Sequence, residues 1–92
     1  MRVYTLKLSD GAVKDLKQFN PPEQKLIANK LRYLTDHFDQ LKTTKKVTEL
    51  KGTDYAHYRF VIARRIRAIF EIKNDEVILL VIKIGRRRDV YD

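Results

Sequence analysis

Cysteine and tryptophan are both absent from this chain of 92 residues. Without cysteine the chain has no disulfide bond, no thiolate zinc site and no cysteine nucleophile. No apolar run approaches the roughly 18 residues that a membrane span needs. The alternating N-terminal residues also lack the unbroken apolar stretch of a signal peptide. We therefore expect a cytoplasmic protein with no membrane partner.

Glycine and histidine are scarce, with three glycines and two histidines in the chain. Isolated glycines do not form the glycine-rich loop that cradles phosphate groups. Neither histidine has the spacing of a metal-binding or catalytic pair, and the carboxylates show no paired arrangement for acid–base chemistry. We expect no metal site and no cofactor.

Positive charge is abundant and unevenly placed. The chain carries 20 Lys and Arg against 12 Asp and Glu, a formal net charge of +8. Residues 42–67 contain eight of the basic and only two of the acidic side chains, and seven of the nine arginines lie between positions 59 and 88. This clustering favours a polyanionic partner over a surface that is basic only for solubility, because arginine grips phosphate with a planar two-pronged fork.

The first half of the chain has the pattern of one strand and two helices. Residues 2–8 alternate between apolar and polar side chains, which predicts a strand with one wet face. Ser9 is suited to cap a short amphipathic helix. Asn20-Pro21-Pro22-Glu23 resembles a capping box with prolines in the first turn, so it ends that helix and begins a longer one. The second helix has apolar residues at helical spacing, at Ile27, Leu31, Leu34 and Phe38.

The pattern then changes to a period of two. Residues 39–56 are expected to be irregular, because they are polar and show no periodicity. Residues 57–62 and 66–72 alternate as two strands, joined by a tight turn around Ala63-Arg64-Arg65. These two strands are expected to pair antiparallel, with one apolar and one polar face.

The end of the chain supplies the remaining strand or strands. Asn74-Asp75 suits a second hairpin turn, and the apolar run 77–84 predicts a central strand covered on both faces. Gly85 is expected to break that strand, and residues 86–91 then form a short edge strand or a tail. The elements predict a single α+β domain over residues 1–92 in the order β-α-α-β-β-β, with one further short strand left open. A helical hairpin is expected on one face of a mostly antiparallel, curled sheet, with the first strand at its edge.

Arginine side chains on one strand face form the candidate site. Arg59 and Arg67 fall on neighbouring strands, on the side opposite the apolar residues, and Arg87 and Tyr91 follow the central strand within reach of the same surface. Guanidinium groups neutralise the extra charge of a phosphoryl transition state, while a tyrosine stacks on a base or takes part in proton transfer. The alternative is a solvated sheet face with cross-strand partners such as Glu71.

Several segments resemble the RelE/ParE toxins of bacterial toxin–antitoxin pairs. The resemblance covers essentially the whole chain, and its most specific part is the ending Gly85-Arg86-Arg87-Arg88-Asp89-Val90-Tyr91. The other segments are Leu8-Ser9-Asp10-Gly11-Ala12-Val13-Lys14-Asp15-Leu16, Leu50-Lys51-Gly52, Tyr58-Arg59-Phe60 and Ile66-Arg67-Ala68-Ile69-Phe70. The resemblance implies the RelE-like fold and the toxin of a type II toxin–antitoxin system.

RelE-like members of the family cut mRNA in the ribosomal A site, by attack of the ribose 2′-hydroxyl on the adjacent phosphate without a metal. The resemblance gives Arg59 the first basic position and Arg67 a phosphate-stabilising role. Arg87 then assists the leaving oxygen or the transition-state charge, and Tyr91 stacks on or orients the substrate. By resemblance, this chain is expected to be such an endoribonuclease.

One position departs from the family pattern. A strand lysine that helps to activate the 2′-hydroxyl in some members is replaced by Val61. The identity of the general base is therefore open, with His57, Arg64 and Arg65 as possible substitutes.

A wider set of basic side chains is expected to bind RNA, and no residue is expected to bind a metal. The set comprises Lys45, Lys46, Lys51, His57, Arg64, Arg65, Arg86 and Arg88. The resemblance implies a cognate antitoxin that covers the basic face with an acidic or amphipathic segment, with operator DNA bound only through the toxin–antitoxin complex. Two other functions stay open: a ParE-like inhibitor of DNA gyrase, and a non-catalytic domain that binds RNA or a protein partner.

Overall fold

The computed structural model of the protein describes residues 3–50, 57–73 and 76–86. Within these residues two helices pack on one five-stranded sheet, so the α+β fold predicted from the sequence is confirmed. Neither helix is long and apolar enough to cross a membrane. The elements are β1 (Thr5–Leu8), α1 (Asp10–Lys17), α2 (Pro21–Leu41), β2 (Val47–Leu50), β3 (His57–Ala63), β4 (Ile66–Lys73) and β5 (Ile78–Arg86).

The sheet has the strand order β1-β5-β4-β3-β2. Strands β2 to β5 form an antiparallel meander, and β1 pairs parallel with β5 at the other edge. The predicted tight turn between β3 and β4 is present and consists of Arg64 and Arg65. The chain enters β5 through Val77, which has a φ of 52°. Asn74 and Asp75, the predicted turn residues, lie outside the described residues.

Helix α1 is attached to β5 at both of its ends. The Ser9 hydroxyl accepts the N–H of Ala12 at 3.1 Å, as predicted for a cap, and also donates to the carbonyl of Ile82 at 3.3 Å. At the other end, Asp15 Oδ2 accepts the backbone N–H of Ile84 at 3.0 Å. These contacts satisfy the edge of β5 beyond the last β1 pair, where a strand would otherwise lack a partner.

Helix α2 begins with the predicted capping box. Asn20 Oδ1 accepts the N–H of Glu23 at 2.9 Å, and Glu23 Oε1 accepts the N–H of Asn20 at 3.2 Å. The helix continues to Leu41 and includes residues 39–41, which were expected to be irregular. The extension is explained by burial, because Leu41 continues the apolar stripe of the helix into the core.

Two expectations for the strands were wrong. The fifth strand is β2, which lies inside the stretch that was expected to be irregular. It forms because Val47 pairs with Phe60 and is buried. Gly85 does not break β5, since its pairing with Arg67 continues the ladder to Arg86. Residues 87–91, where a strand or tail was predicted, lie outside the described residues.

The prediction that the apolar strand is covered on both faces was also wrong. In β5, Leu79 and Val81 are fully buried against the helices, whereas Ile78 and Leu80 are only half-buried on the other face. The reason is topological, because both helices pack on the same side of the sheet.

An aromatic cluster fills the core between α2 and the sheet. The ring of Phe70, fully buried, stacks on Tyr58 at 5.3 Å and meets Phe38 edge-on at 5.7 Å. Tyr4 meets Phe38 edge-on at 5.6 Å, which brings β1 into the same cluster. This packing fixes which face of β3 and β4 is turned away from the helices.

Candidate nucleic-acid interface

The sheet face opposite the helices is referred to as the open face. It is formed by alternate residues of three neighbouring strands: His57, Arg59 and Val61 of β3, Arg67, Ile69 and Glu71 of β4, and Leu80 and Lys83 of β5. Most of these side chains are half-buried rather than exposed. The open face therefore combines charged side chains with partly buried aliphatic side chains.

Arg59 and Arg67 lie on this face together, as the alternation predicted. Arg59 pairs with Ile69. Arg67 pairs with Val61, and this is the next pair that faces the same side of the sheet. Successive pairs on one face are about 7 Å apart along the strands, so the two arginines are diagonal neighbours.

The guanidinium of Arg67 is held against the β3–β4 turn. Its Nη1 donates to the carbonyl oxygens of Ala63 at 2.6 Å, Arg64 at 3.1 Å and Ile66 at 3.2 Å. These contacts position the positive charge of Arg67 at the turn end of the open face. Arg64 and Arg65 are both exposed in the same turn, so three arginines are concentrated there.

The side chains of His57 and Glu71 contact each other across β3 and β4 on the same face. Their Nε2 and Oε2 atoms are 3.3 Å apart, and their side chains are only 16% and 17% exposed. Lys73 also contacts Glu71, with 3.8 Å between Nζ and Oε1. Among the described ion pairs, Glu71 thus pairs with His57 and Lys73. The suggestion from the sequence that Glu71 is a cross-strand partner of the arginines stays a prediction.

Lys83 is a third cation beside Arg59 and Arg67, and the sequence analysis did not single it out. Lys83 of β5 pairs with Ile69 of β4, so Ile69 has Arg59 on one side and Lys83 on the other. The backbones of Arg59 and Lys83 are about 10 Å apart, across two strand spacings. Lys83 is exposed, and it also borders a cleft of about 440 Å³ between α1 and the end of β5. The signal in the sequence was the single charged residue within the apolar run 77–84.

Arg86 lies on the other side of the sheet from Arg67. Its guanidinium is 5.1 Å from the ring centroid of Phe19, and its Nη1 is 3.5 Å from Glu23 Oε2. It pairs with Ile66, whose side chain is buried in the core. The structure therefore does not bring Arg86 together with the arginines of the open face.

Lys45 and Lys46 are exposed in the turn that precedes β2. The carbonyl of Lys46 accepts the N–H of Val61 at 2.8 Å, which extends the β2–β3 ladder towards the row of Arg67. Lys46 also lines a groove of about 310 Å³ together with Lys30 and Tyr33 of α2. The other proposed site residues, Lys51, Arg87, Arg88 and Tyr91, lie outside the described residues.

Solved structures of bacterial and archaeal toxins share this fold. RelE in the RelE–RelB complex of Pyrococcus horikoshii OT3 matches with a TM-score of 0.73 and 19% identity, covering 92% of this chain and 96% of that chain. The isolated E. coli RelE toxin matches with a TM-score of 0.68 and 16% identity, covering 91% and 84%. The E. coli DinJ–YafQ complex matches with a TM-score of 0.67 and 17% identity, covering 97% and 98%. These likenesses define the class as the RelE-like toxin fold.

The family follows from the sequence itself. Residues 6–91 match the family model described as the ParE toxin of the type II toxin–antitoxin system, parDE. This chain belongs to that family, within the RelE/ParE superfamily, and is a toxin of a type II toxin–antitoxin system. A search of the curated proteins gives no match.

Proposed function

We propose that this toxin is an endoribonuclease that cuts mRNA in the ribosomal A site. The observation that supports this proposal is the strand register, which places Arg59, Arg67 and Lys83 around Ile69 on the open face. Attack on a phosphodiester adds negative charge to the phosphorus centre, and fixed cations at that point stabilise the transition state more than the ground state.

The roles divide according to position. Arg59 and Lys83 contact the scissile phosphate from two sides, and Arg67, held at the turn, stabilises the charge that develops on its oxygens. Family resemblance adds Arg87 as the residue that assists the leaving oxygen and Tyr91 as the residue that stacks on or orients the substrate. Arg64 and Arg65, exposed in the turn, bind the neighbouring backbone of the RNA.

The ribose 2′-hydroxyl is the nucleophile in this proposal. Its oxygen bonds to phosphorus while the bond to the 5′-oxygen breaks, leaving a 2′,3′-cyclic phosphate and a 5′-hydroxyl end. The decisive experiment is in vitro translation with mapping of mRNA ends, with and without ribosomes. We expect cuts with these ends only when ribosomes are present. The absence of cleavage in both reactions would refute the proposal.

A second candidate function is inhibition of DNA gyrase. The description of the matching family as the ParE toxin favours it, because ParE-like members share the fold and are known as gyrase poisons. A supercoiling assay with purified gyrase distinguishes the two functions. Alanine at Arg87 or Tyr91 abolishes toxicity in an endonuclease that still folds, whereas a gyrase poison or a simple binding domain keeps its effect.

We also propose that a cognate antitoxin binds the open face. The net charge of +8 suits an acidic or amphipathic segment, and relatives are seen in complexes with RelB and DinJ. Operator DNA is bound through this complex and not by the toxin alone. Copurification with the product of the neighbouring gene, followed by a gel-shift assay of each component, tests both statements. Operator binding by the free toxin would contradict the second.

A further inference from the structure

The cleft between α1 and the end of β5 has, apart from Lys83, no part in the proposed phosphate site. Its volume of about 440 Å³ lies within the range of about 300–1,000 Å³ for small-ligand sites. Its lining is mainly polar and includes Asp15, Gln18, Phe19, Lys83, Gly85 and Arg86. The cleft is therefore large enough for a planar ring and offers it groups that form hydrogen bonds.

The cleft is continuous with the open face along β5. Lys83 borders both of them, and Gly85, which also lines the cleft, pairs with Arg67 of β4. Neighbouring strands are about 5 Å apart, so the rows of Arg67 and Lys83 both end close to the cleft. An RNA strand whose phosphate binds at these cations thus brings an adjacent nucleotide to the cleft.

The guanidinium of Arg86 is held in place by two neighbours. Its Cζ lies over the Phe19 ring, 5.1 Å from the centroid, and its Nη1 is 3.5 Å from Glu23 Oε2. Glu23 is itself fixed, because its Oε1 accepts the N–H of Asn20 in the capping box. The Arg86 side chain is still 47% exposed. A guanidinium that is held over an aromatic ring and stays accessible forms a plane on which a nucleic-acid base stacks.

The charges around the cleft favour a base over a phosphate group. The two cations of the lining are Lys83 and Arg86. They are balanced by Asp15 in the lining and by Glu23 beside Arg86. The Asp15 carboxylate also accepts the N–H of Ile84 at 3.0 Å. A balanced set of charges attracts a phosphate only weakly, whereas a neutral base binds through stacking and hydrogen bonds.

We propose that this cleft binds the base of a nucleotide that flanks the scissile phosphate. The inference rests on the endonuclease function proposed above and adds a subsite for the same substrate. The base stacks on the guanidinium of Arg86. Gln18, the exposed C-cap residue of α1, offers an amide donor and an amide acceptor to the edge of the base. Arg86 and Gln18 therefore determine affinity and base preference and take no part in the chemical step.

The test measures single-turnover cleavage on programmed ribosomes at a series of toxin concentrations. We expect Arg86→Leu to raise the half-saturating toxin concentration about tenfold, within the range for loss of one stacked base. The rate constant at saturation is expected to stay unchanged, because the residue does not contact the reacting atoms. Arg86→Lys keeps the charge but not the plane, so it is expected to weaken binding nearly as much.

The same interaction is removed from the RNA side by an abasic nucleotide, placed in turn on each side of the cut. At one of the two positions we expect it to raise the half-saturating concentration of the unmodified toxin about tenfold. It is expected to have no further effect on Arg86→Leu, because the stack is already lost. With each of the four bases at that position, Gln18→Ala is expected to show a smaller base preference than the unmodified toxin.

Two matched variants serve as controls. Arg32→Leu removes an exposed arginine of α2, and Gln40→Ala removes an exposed glutamine of the same helix. Both are expected to match the unmodified toxin in half-saturating concentration and in base preference. Thermal unfolding of each variant identifies any weakening that comes from a loss of folded protein. Gln18→Ala keeps the test decisive if Arg86→Leu unfolds, because Gln18 is exposed.

The outcomes separate this inference from the proposed function. If the unmodified toxin cleaves and Arg59→Ala slows cleavage, but Arg86→Leu binds like the unmodified toxin, the subsite is wrong and the endonuclease stands. Equal binding by Arg86→Lys and the unmodified toxin refutes stacking, and an unaltered base preference in Gln18→Ala refutes the role of Gln18. If the unmodified toxin cleaves no mRNA, the proposed function itself is wrong.

Discussion

The two faces of the sheet are made from alternate residues of the same strands, yet they have opposite compositions. On the helix face, Phe70 and Tyr58 pack against Phe38 of α2 in an aromatic cluster. On the open face, arginine, lysine and one histidine–glutamate pair stand above half-buried aliphatic residues. The comparison shows that packing on the helix face stabilises this small toxin, while the open face carries charged side chains. A substitution on each face is therefore expected to affect a different property.

The largest expected effect is on the helix face. Phe70→Ala removes a fully buried ring and leaves a cavity, which is expected to cost about 3–5 kcal/mol of the free energy of unfolding. Ile69→Ala, one residue away on the open face, is expected to cost clearly less because the side chain is only half-buried. Chemical denaturation of the two variants measures the difference. Equal losses would show that the open face is packed as tightly as the core.

The next effect is on the cations of the open face. Arg59→Ala is expected to lower the cleavage rate constant about 100-fold to 1,000-fold, the range for loss of a group that stabilises transition-state charge. Lys83→Ala is expected to lower it about fivefold, since an exposed point charge contributes about 1 kcal/mol. The Lys83→Ala variant is expected to unfold within about 0.5 kcal/mol of the original protein, as is usual for exposed surface substitutions.

A matched control sharpens this prediction. Lys25→Ala removes an exposed positive charge from α2 and changes the net charge by the same amount. It is expected to leave cleavage unchanged. If Lys25→Ala and Lys83→Ala slow cleavage equally, the effect is one of overall charge, and Lys83 does not contact the phosphate.

The smallest effect concerns Tyr58, at the border of the helix face. Burial raises the pKa of the Tyr58 phenol above its ordinary value of 10.0, and the charges of Glu49 and Tyr4 raise it further. The folded state thus favours the neutral phenol, so its contribution to stability is complete below the ordinary value and is lost as pH rises through the raised pKa. We expect the free energy of unfolding to fall above about pH 10, and to fall less steeply in Tyr58→Phe.

The control for this pH dependence is Tyr33→Phe, which changes an exposed tyrosine of α2. It is expected to leave the slope of stability against pH unchanged. A slope that is identical in Tyr58→Phe and the original protein would mean that burial does not shift the ionisation of this phenol.

Much of the fold was predictable because its signals are local. The capping box at Asn20 and Glu23, the cap at Ser9 and the alternation of β3 and β4 depend on residues a few positions apart. The shared face of Arg59 and Arg67 follows from that alternation. Strand β2 was missed because four residues carry almost no periodic signal, and its form depends on pairing with β3.

The site was only partly predictable for the same reason. In β5 the partners shift from Lys83 opposite Ile69 to Val81 opposite Phe70, with Ile82 as the extra residue. Because of this irregularity, the alternation of residues in the sequence does not indicate that Lys83 lies beside Arg59 and Arg67. The helix-side position of Arg86, over Phe19, also depends on where α1 packs.

The sequence alone determined the class of elements, their order apart from β2, the caps of both helices and the family of the toxin, since these depend on neighbouring residues or on the whole pattern of the chain. Only the tertiary structure decided the contact of His57 with Glu71 and the place of Lys83. Those side chains come from different strands, and their separation depends on strand register, which is set by the packing of the aromatic core on the other face.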